Sequence, residues 1–477
     1  MSKLSDTLTR ENDGYRTLLT RSALAGENSL LSTQEILEWF ESRRRADRGE
    51  VRRISLDDLD GWCFAEETGN LQHRSGRFFS IEGLRVTDLV DPAGGWTQPI
   101  INQPEVGILG FLAKELGGVI HVLVQAKMEP GNVNGLQLSP TVQATHSNHT
   151  GVHKGAAVPY LEHFLSPRRG SVLVDVLQSE HGGWFLGKRN RNMVVRVDDE
   201  VPVLDGFCWM TLGQLQELLH RDNLINMDSR TVLSCIPFAQ PTPDLVSDAP
   251  DGFRGAVLRS AAQDGPALHT MTEIMSWLTE ARSRRVIVRR VMNLADVAGW
   301  KRAGGQIAHE AGRYFRVVGV SVHSDGREVR QWTQPLFEPT EQGVVALIAK
   351  RVDGVLHVLV QARQEAGLLD VVELAATVQA TPGNYDQPPP YLREVLDADP
   401  SRIRYDTLLS EEGGRFLHAV SRYLLVEAGD DFPLATPPEF RWVTLGQLTE
   451  LVRHSCYVNV QARTLLACLH GLWGAVR

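Results

Sequence analysis

"VLVQAKMEPGNVNGLQLSPTVQAT" (Val122–Thr145) and "VLVQARQEAGLLDVVELAATVQAT" (Val358–Thr381) open and close on the same words and differ in the middle. The shift between them, 358 − 122 = 236 residues, also carries "WTQP" from Trp96 to Trp332 and "GR" from Gly76 to Gly312. A shift of 233 relates "TLGQL" at Thr211 to the same word at Thr444, and "NMDSRTVLSC" at Asn226 to "NVQARTLLAC" at Asn459. One of 238 relates "STQEILEWF" at Ser32 to "TMTEIMSWL" at Thr270. Small drifts of this kind are what loop insertions and deletions leave behind. A period this long is a whole domain rather than a solenoid unit. The chain therefore reads as an extension (1–31), a first repeat (32–238), a linker (239–269) rich in Pro, Asp and Gly, and a second repeat (270–477).

Within each repeat, capping signals place the helices. Ser32 with Glu35 and Thr270 with Glu273 have capping-box spacing, as do Thr211 with Gln214 and Thr444 with Gln447. Between them, "GVIHVLVQA", "PTVQAT", "SVLVDVLQ" and "NMVVRV" are β-branched runs bounded by turn formers. "SEHGGWF" and "SEEGGRF" put Gly-Gly where a tight turn between strands is expected. Strands and helices without strict βαβ alternation predict an α+β fold, with a mixed or antiparallel sheet and helices in each repeat. Trp39 and Trp277, on the apolar faces of the opening helices, are assigned to the core.

The 477 residues carry a formal charge of −9 and offer no basic stripe, which argues against a nucleic-acid surface. "RSRRVIVRR" (Arg282–Arg290), the densest basic run, is broken by apolar residues and reads as a helix end leading into a strand. Five unpaired-looking cysteines, no secretory leader and no long apolar run predict reduced thiols and a cytoplasmic protein.

If the repeated words are two adjacent strands, alternation puts His121, Leu123, Gln125, Lys127 and Glu129 on one face, with Gln137, Ser139, Thr141, Gln143 and Thr145 beside them. Rows of amides and hydroxyls suit hydrogen bonding to a ligand better than plain exposure to water, although antiparallel sheets do turn one face to solvent. The second repeat keeps the rows as Gln361, Arg363, Glu365, Glu373, Thr377, Gln379 and Thr381, but Asn132 becomes Leu368, Asn134 becomes Asp370 and Ser139 becomes Ala375. On this reading the repeated words bind what both copies hold, and the altered middle touches a polar substrate in the first copy alone.

The stretches "HRSGRFFSIEGLRV", "WTQPIINQPEVGILGFL", "QAKMEPGNVNGLQLSPTVQAT" and "WMTLGQLQELL" closely resemble the NDP-hexose 2,3-dehydratases of bacterial deoxysugar pathways, over nearly the whole chain. The resemblance implies tandem Nudix-like domains acting on a dTDP-4-keto-6-deoxyhexose. It also implies loss of the C-2 oxygen to give a 3,4-diketo-2,6-dideoxy sugar, a downstream 3-ketoreductase, a natural product such as an antibiotic, and a homodimer. The G-x5-E-x7-R-E-x2-E-E box of Nudix hydrolases is missing, which leaves metal-assisted diphosphate cleavage without machinery.

A 4-ketone acidifies the C-3 hydrogen, so elimination needs a base at C-3 and an acid at the C-2 hydroxyl. No electrons reach a carrier, and no G-x-G-x-x-G fingerprint is present, so no cofactor is expected. Glu129 is the first candidate base, with a structural salt bridge as the rival reading; His73, Tyr160 and Lys127 follow. The substrate-binding set is Ser75, Arg77, Trp96, Gln98, Gln125, Asn132, Asn134, Gln137, Ser139, Thr141, Gln143, Thr145 and Asn148. Trp96 would stack on thymine and Arg77 would meet the pyrophosphate. A second nucleotide site would use Arg313, Trp332, Gln334, Gln361, Arg363, Thr377, Gln379 and Thr381. The competing functions are a non-catalytic nucleotide-sugar-binding protein and a metal-dependent diphosphate hydrolase.

Overall fold

The computed structural model describes residues 14–474 apart from 28–29, 91–93, 146–156, 169, 239–240, 242–245, 247–248, 250, 263–264 and 325–328. It is an α+β protein of two similar halves, each contributing to a seven-stranded and a five-stranded sheet. All four expected capping boxes form, at Ser32, Thr211, Thr270 and Thr444. In the first half the seven-stranded sheet is centred on Gly107–Leu116 and Val119–Met128. Its one parallel pair joins Gly107–Leu116 to Arg189–Arg196; the second half repeats this with Gly343–Val352 and Val420–Glu427. Trp277 is buried and Trp39 half-buried. Among the described residues, no helix is long and apolar enough to cross a membrane.

The five-stranded sheets are not private to their repeats. Glu50–Ile54, from the first, pairs antiparallel with Phe315–His323 of the second, Glu50 opposite His323 and Ile54 opposite Gly319. Ile287–Met292, from the second, pairs with Ser80–Asp88 of the first, Ile287 opposite Asp88. The basic run at Arg282–Arg290 thus does end a helix and enter a strand, but the strand is the exchanged one.

The linker stretch also differs from its reading. It contains the buried helix Phe253–Ala261, and the N-terminal extension contains a helix at 14–24. These occupy equivalent places: Ser22 Oγ accepts from the amide of Leu212 and Ser260 Oγ from that of Leu445, both at 2.9 Å. The shift, 260 − 22 = 238, is that of the opening helices, so one helix precedes each capping-box helix. Local Pro, Asp and Gly content hid an apolar stretch, "FRGAVLRSA", that packs on the sheet.

The centre of the molecule lies between the halves, where Met227–Ser234 packs against Val460–Gly474. Leu465, Leu466 and Leu469 are fully enclosed there, each contributing roughly 1.5–3 kcal/mol by burial. Two arginines are buried completely and brace the opposite half. Arg230 Nη2 donates to the Ser410 carbonyl, and Arg463 Nη2 to that of Ser179 at 2.6 Å. Backbone carbonyls, with Thr231 Oγ1 for Arg463, offset much of the cost of burying these charges, although Arg230 Nε has no hydrogen-bond partner among the described residues.

The middle of each repeated stretch is a clamp. Gly131 N donates to Gly413 O and His418 N to Gly131 O, both at 2.7 Å; Gly367 N donates to Gly182 O and Gly187 N to Gly367 O. A Cβ on Gly131 or Gly367 would lie 1.7 Å from the carbonyl oxygen of Phe416 or Phe185, so neither position admits a side chain. The Gly-Gly stretches are not tight turns. The strands they join, Val172–Ser179 with Arg189–Arg196 and Ile403–Ser410 with Val420–Glu427, are separated by longer loops. There the glycines allow close approach: a Cβ on Gly182 would meet Leu368, and one on Gly413 would meet Asn132.

Candidate active site

A cavity of about 390 Å³ opens where the first half's repeated stretch meets the loop Glu411–His418 of the second. Its wall holds Lys127, Glu129, Gln143 and Thr145 from the stretch, and Glu180, Lys188 and Asn190 from the first half's own loop and strand. Asp228 comes from the central helix, and Trp332, Gln334, Glu412 and Arg415 from the second repeat. Neither repeat encloses this cavity alone.

The side chains are held on definite lines. Gln143 Nε2 donates to Glu129 Oε1 at 2.6 Å, while its own Oε1 accepts from Ser139 Oγ at 3.0 Å and Asn226 Nδ2 at 3.4 Å. Lys127 Nζ donates to the Gln143 carbonyl at 3.3 Å. Asn190 Nδ2 donates to Glu180 Oε1 at 2.7 Å. The amide of Gly414 donates to Glu412 Oε1 at 2.9 Å. Trp332 Nε1 donates to Gln334 Oε1 at 2.9 Å, and Gln334 Nε2 to the Gly414 carbonyl at 2.7 Å, tying the indole to the loop that carries Glu412.

Three carboxyl oxygens in this wall are buried and have no hydrogen-bond partner among the described residues: Glu180 Oε2, Asp228 Oδ1 and Glu412 Oε2. Buried carboxyl oxygens left bare cost free energy, and three of them here face one cavity, where a hydroxyl or a proton could satisfy them. The electrostatics agree. Burial, reinforced by the charge of Glu129, raises the Glu412 carboxyl to about 7. Burial, with the charges of Glu129, Glu180 and Glu412, lifts Asp228 well above the usual carboxylate range. Burial also lowers the Lys188 ammonium. Such opposed shifts within one cleft mark acid–base sites.

A second cavity, of about 260 Å³, occupies the equivalent place in the other half. Arg363, Glu365, Gln379 and Thr381 repeat the first wall, with Trp96 and Gln98 contributed by the first repeat. The loops align with a shift of 410 − 179 = 231, which sets Glu180 against Glu411, His181 against Glu412 and Lys188 against Ala419. Asp228 corresponds to Gln461, with 461 − 228 = 233. Where the first cavity holds Glu180 and Glu412, the second holds Glu411 and His181, whose Nε2 lies 3.0 Å from Glu411 Oε2. Burial opposes the charge on both, but the hydrogen bond between them prevails: His181 is raised and Glu411 lowered, the signature of an ion pair.

The predicted residues divide three ways. Lys127, Glu129, Gln143, Thr145 and His73 line the first cavity; Arg363, Gln379 and Thr381 line the second. The two Trp-Gln pairs are crossed relative to their assignment. Trp332 and Gln334 serve the first cavity and Trp96 and Gln98 the second, because each sheet edge reaches over the other half.

The remaining predicted residues line neither cavity. The return strand breaks at Thr141, which bridges Leu112 N and Leu123 O, and Thr377 does the same at Ile348 N and Leu359 O. Both are framework. Gln137 turns into the junction and donates to Ser410 Oγ at 2.7 Å. Asn132 and Asn134 bond the carbonyls of Gly135 and Asn223, so they shape the clamp rather than face the cavity. Gln125 sits opposite Ser139, and Gln361 opposite Ala375. Ser139 acts through Gln143. Tyr160 is buried, with its hydroxyl donating to Pro202 O and accepting from Leu204 N. Ser75 holds His73 Nδ1 at 2.8 Å. Arg77 is exposed, and Arg313 is paired with exposed Asp386 at 2.6 Å. Asn148 falls outside the described residues.

Charged residues of the cavity wall that the sequence reading did not single out are Glu180, Asp228, Glu412, Lys188 and Arg415. The signal was available, since "NMDSRTVLSC" against "NVQARTLLAC" and "SEHGGWF" against "SEEGGRF" differ in charge inside otherwise matching frames.

The chain resembles known proteins along nearly its full length. A sequence profile described as NDP-hexose 2,3-dehydratase matches residues 33–236 and 271–469. A protein of Saccharopolyspora spinosa named dTDP-4-dehydro-6-deoxy-alpha-D-glucopyranose 2,3-dehydratase is 51% identical over 463 residues, covering 96% of this chain and 95% of that one. Its namesake in Amycolatopsis orientalis is 49% identical, covering 97% and 95%, and one in Streptomyces violaceoruber is 50% identical, covering 91% and 96%. A twice-matched profile and relatives near half identity fix the assignment: this chain belongs to the NDP-hexose 2,3-dehydratase family.

Proposed function

We propose that this protein is a lyase that removes water across C-2 and C-3 of dTDP-4-dehydro-6-deoxyglucose, the sugar named for its relatives. The observation that carries the reading is the set of three partnerless buried carboxyl oxygens in one cavity. Glu129, oriented by Gln143, takes the C-3 proton, and the 4-ketone delocalises the resulting charge. A protonated carboxyl assists departure of the C-2 hydroxyl as water, and tautomerisation of the enol gives the 3,4-diketone. Each proton transfer contributes typically 10²–10⁴-fold. Lys127, Lys188 and Arg415 supply cationic charge for a diphosphate or an enolate, and Trp332 a face for thymine.

The second cavity is read as a nucleotide site without turnover, since Trp96, Gln98, Arg363, Gln379 and Thr381 are retained while Asp228 and Lys188 are replaced by Gln461 and Ala419. Each half is read as Nudix-like, and the protein as a cytoplasmic homodimer feeding a 3-ketoreductase in deoxysugar formation for an antibiotic-type product. The sequence units of that reading are 32–238 and 270–477, each preceded by its packed helix. Elimination is redox-neutral, so the reaction calls for no nicotinamide, and the carboxyls and cations of the cavity wall are read as supplying its acid–base chemistry. The test is incubation with the 4-keto sugar nucleotide in EDTA, with reductive trapping of the diketone. Hydrolysis to a nucleoside monophosphate would support the hydrolase reading instead, and binding without conversion a sensor.

A further inference from the structure

We infer that Glu412, contributed by the second repeat, is the residue that protonates the departing C-2 hydroxyl, so that the two repeats supply opposite halves of one acid–base pair. The inference rests on the dehydratase reading above and deepens it.

The geometry singles this residue out. Glu412 lines the cavity with one carboxyl oxygen fixed by the Gly414 amide and the other buried without a protein partner among the described residues. Its surroundings stand close to Glu129: a Cβ at Gly413 would lie 3.0 Å from Glu129 Cβ, and one at Gly414 would lie 3.8 Å from Glu129 Oε1. The candidate base and this carboxyl therefore share one patch of wall, as an elimination across adjacent carbons requires. The second cavity supplies the control. There the corresponding pair, His181 and Glu411, neutralise one another by an ion pair, whereas Glu180 and Glu412 are both acids and cannot. Burial and the charge of Glu129 push the Glu412 carboxyl upward, favouring its protonated form.

The charged groups around Glu412 are Glu129, Glu180, Asp228, Arg415, Lys188 and Lys127. Burial and the negative neighbours outweigh the cations and keep the proton on Glu412 up to about pH 7. Asp228, whose carboxyl is also pushed upward by burial, extends from the central helix between halves. It shares the charge neighbours Glu129 and Glu180 with Glu412, but Glu412 alone of the two sits on the loop whose glycines stand against Glu129.

The step balances. Glu129 takes H-3, the electron pair passes through the enolate to form the C-2–C-3 double bond, and the C-2–O bond breaks with the Glu412 proton leaving in water. Tautomerisation then moves one proton onto C-2 and removes one from the C-3 hydroxyl, returning both carboxyls to their starting states.

The test uses full-length enzyme and dTDP-4-dehydro-6-deoxyglucose in deuterium oxide, with nucleotide affinity measured by thymidine diphosphate titration. Glu412→Gln is expected to lose product formation by roughly 10²–10⁴-fold while still washing deuterium into C-3 of recovered substrate. Thymidine diphosphate affinity should stay within about threefold of wild type. Loss of exchange together with product, loss of nucleotide affinity, or wild-type turnover each overturns the assignment. A wild-type enzyme that neither exchanges nor eliminates overturns the dehydratase reading itself. A pH arm stands apart from the variant's folding: wild-type kcat should fall as pH rises through about 7, and Glu180→Gln, which removes a neighbouring negative charge, should move that limb to lower pH. A limb that stays put overturns the proposal.

Discussion

The two cavities are one design carried out twice with different charges. Both have the amide-oriented glutamate, Glu129 on Gln143 and Glu365 on Gln379. Both have a Trp-Gln pair tied to the loop carbonyl, Gly414 in one and Gly183 in the other. They part where protons would be stored. The first keeps Asp228, Glu180 and Glu412 with bare oxygens, and the second has Gln461 and a closed His181–Glu411 pair. On the proposed reading, the shared framework serves binding and the mismatched charges serve chemistry.

The strongest way to break this comparison is at the matched glutamates. Glu129→Gln should lower kcat by roughly 10²–10⁴ with thymidine diphosphate affinity nearly intact, whereas Glu365→Gln should leave kcat within about threefold. Equal losses, measured by steady-state kinetics, would end the division between cavities.

The next effect is on stability, and the two cavities should respond with opposite signs. Glu411→Gln strands a buried partner and should cost about 3–5 kcal/mol near pH 6 in denaturant titrations. Glu411 has a depressed folded pKa, so its contribution is present above its ordinary 4.5 and lost as pH falls through the folded value. His181 has a raised one, so its contribution is full below 6.5 and lost as pH rises through the folded value. The pair is thus worth most between those pH values. Asp228 is the reverse case: its raised folded pKa means the native state loses stability as pH climbs from 3.8 through the folded value. Asp228→Asn should gain on wild type in thermal melts as pH rises from 5 to 8, by roughly 2–5 °C. A constant gap would show that Asp228 is not held protonated.

A smaller effect sharpens the crossing of the tryptophans. Trp332→Ala should weaken substrate at the first cavity by about 10–100-fold, the usual worth of a stacked base. Trp96→Ala should leave turnover within about twofold and remove only a second bound nucleotide, seen by calorimetry. The reverse result would restore the arrangement expected from sequence order. The smallest effect belongs to the clamp. Asn134→Ala loses a bond to the Asn223 carbonyl at 2.8 Å, worth about 0.5–1.5 kcal/mol of stability, with kcat/KM unchanged.

Much of this was legible in the sequence. Duplication, caps and strands follow from local rules, and Lys127, Glu129, Gln143 and Thr145 were found because alternation puts them on one face. What stayed hidden was long-range. Nothing local in "VRRI" announces that Glu50–Ile54 pairs with a strand some 270 residues away, so the crossing of Trp96 and Trp332 could not be seen either. Asn132 and Asn134 misled because amides satisfy a loop's own carbonyls as readily as a sugar's hydroxyls. Tyr160 misled because a left-handed residue (φ 61°) with a buried ring and a saturated hydroxyl has the same letter as a catalytic one.

The exchange of Glu50–Ile54 for Ile287–Met292 is the pattern of a strand-swapped pair written into a single polypeptide. Two free-standing copies trading strands this way would be symmetric, and every replacement in one would be stamped on the other. Joined end to end, each copy carries its own text. Gln461 and His181 can be written beside one cavity while Asp228 and Glu412 are kept beside the other, and the covalent junction is what makes that inequality heritable.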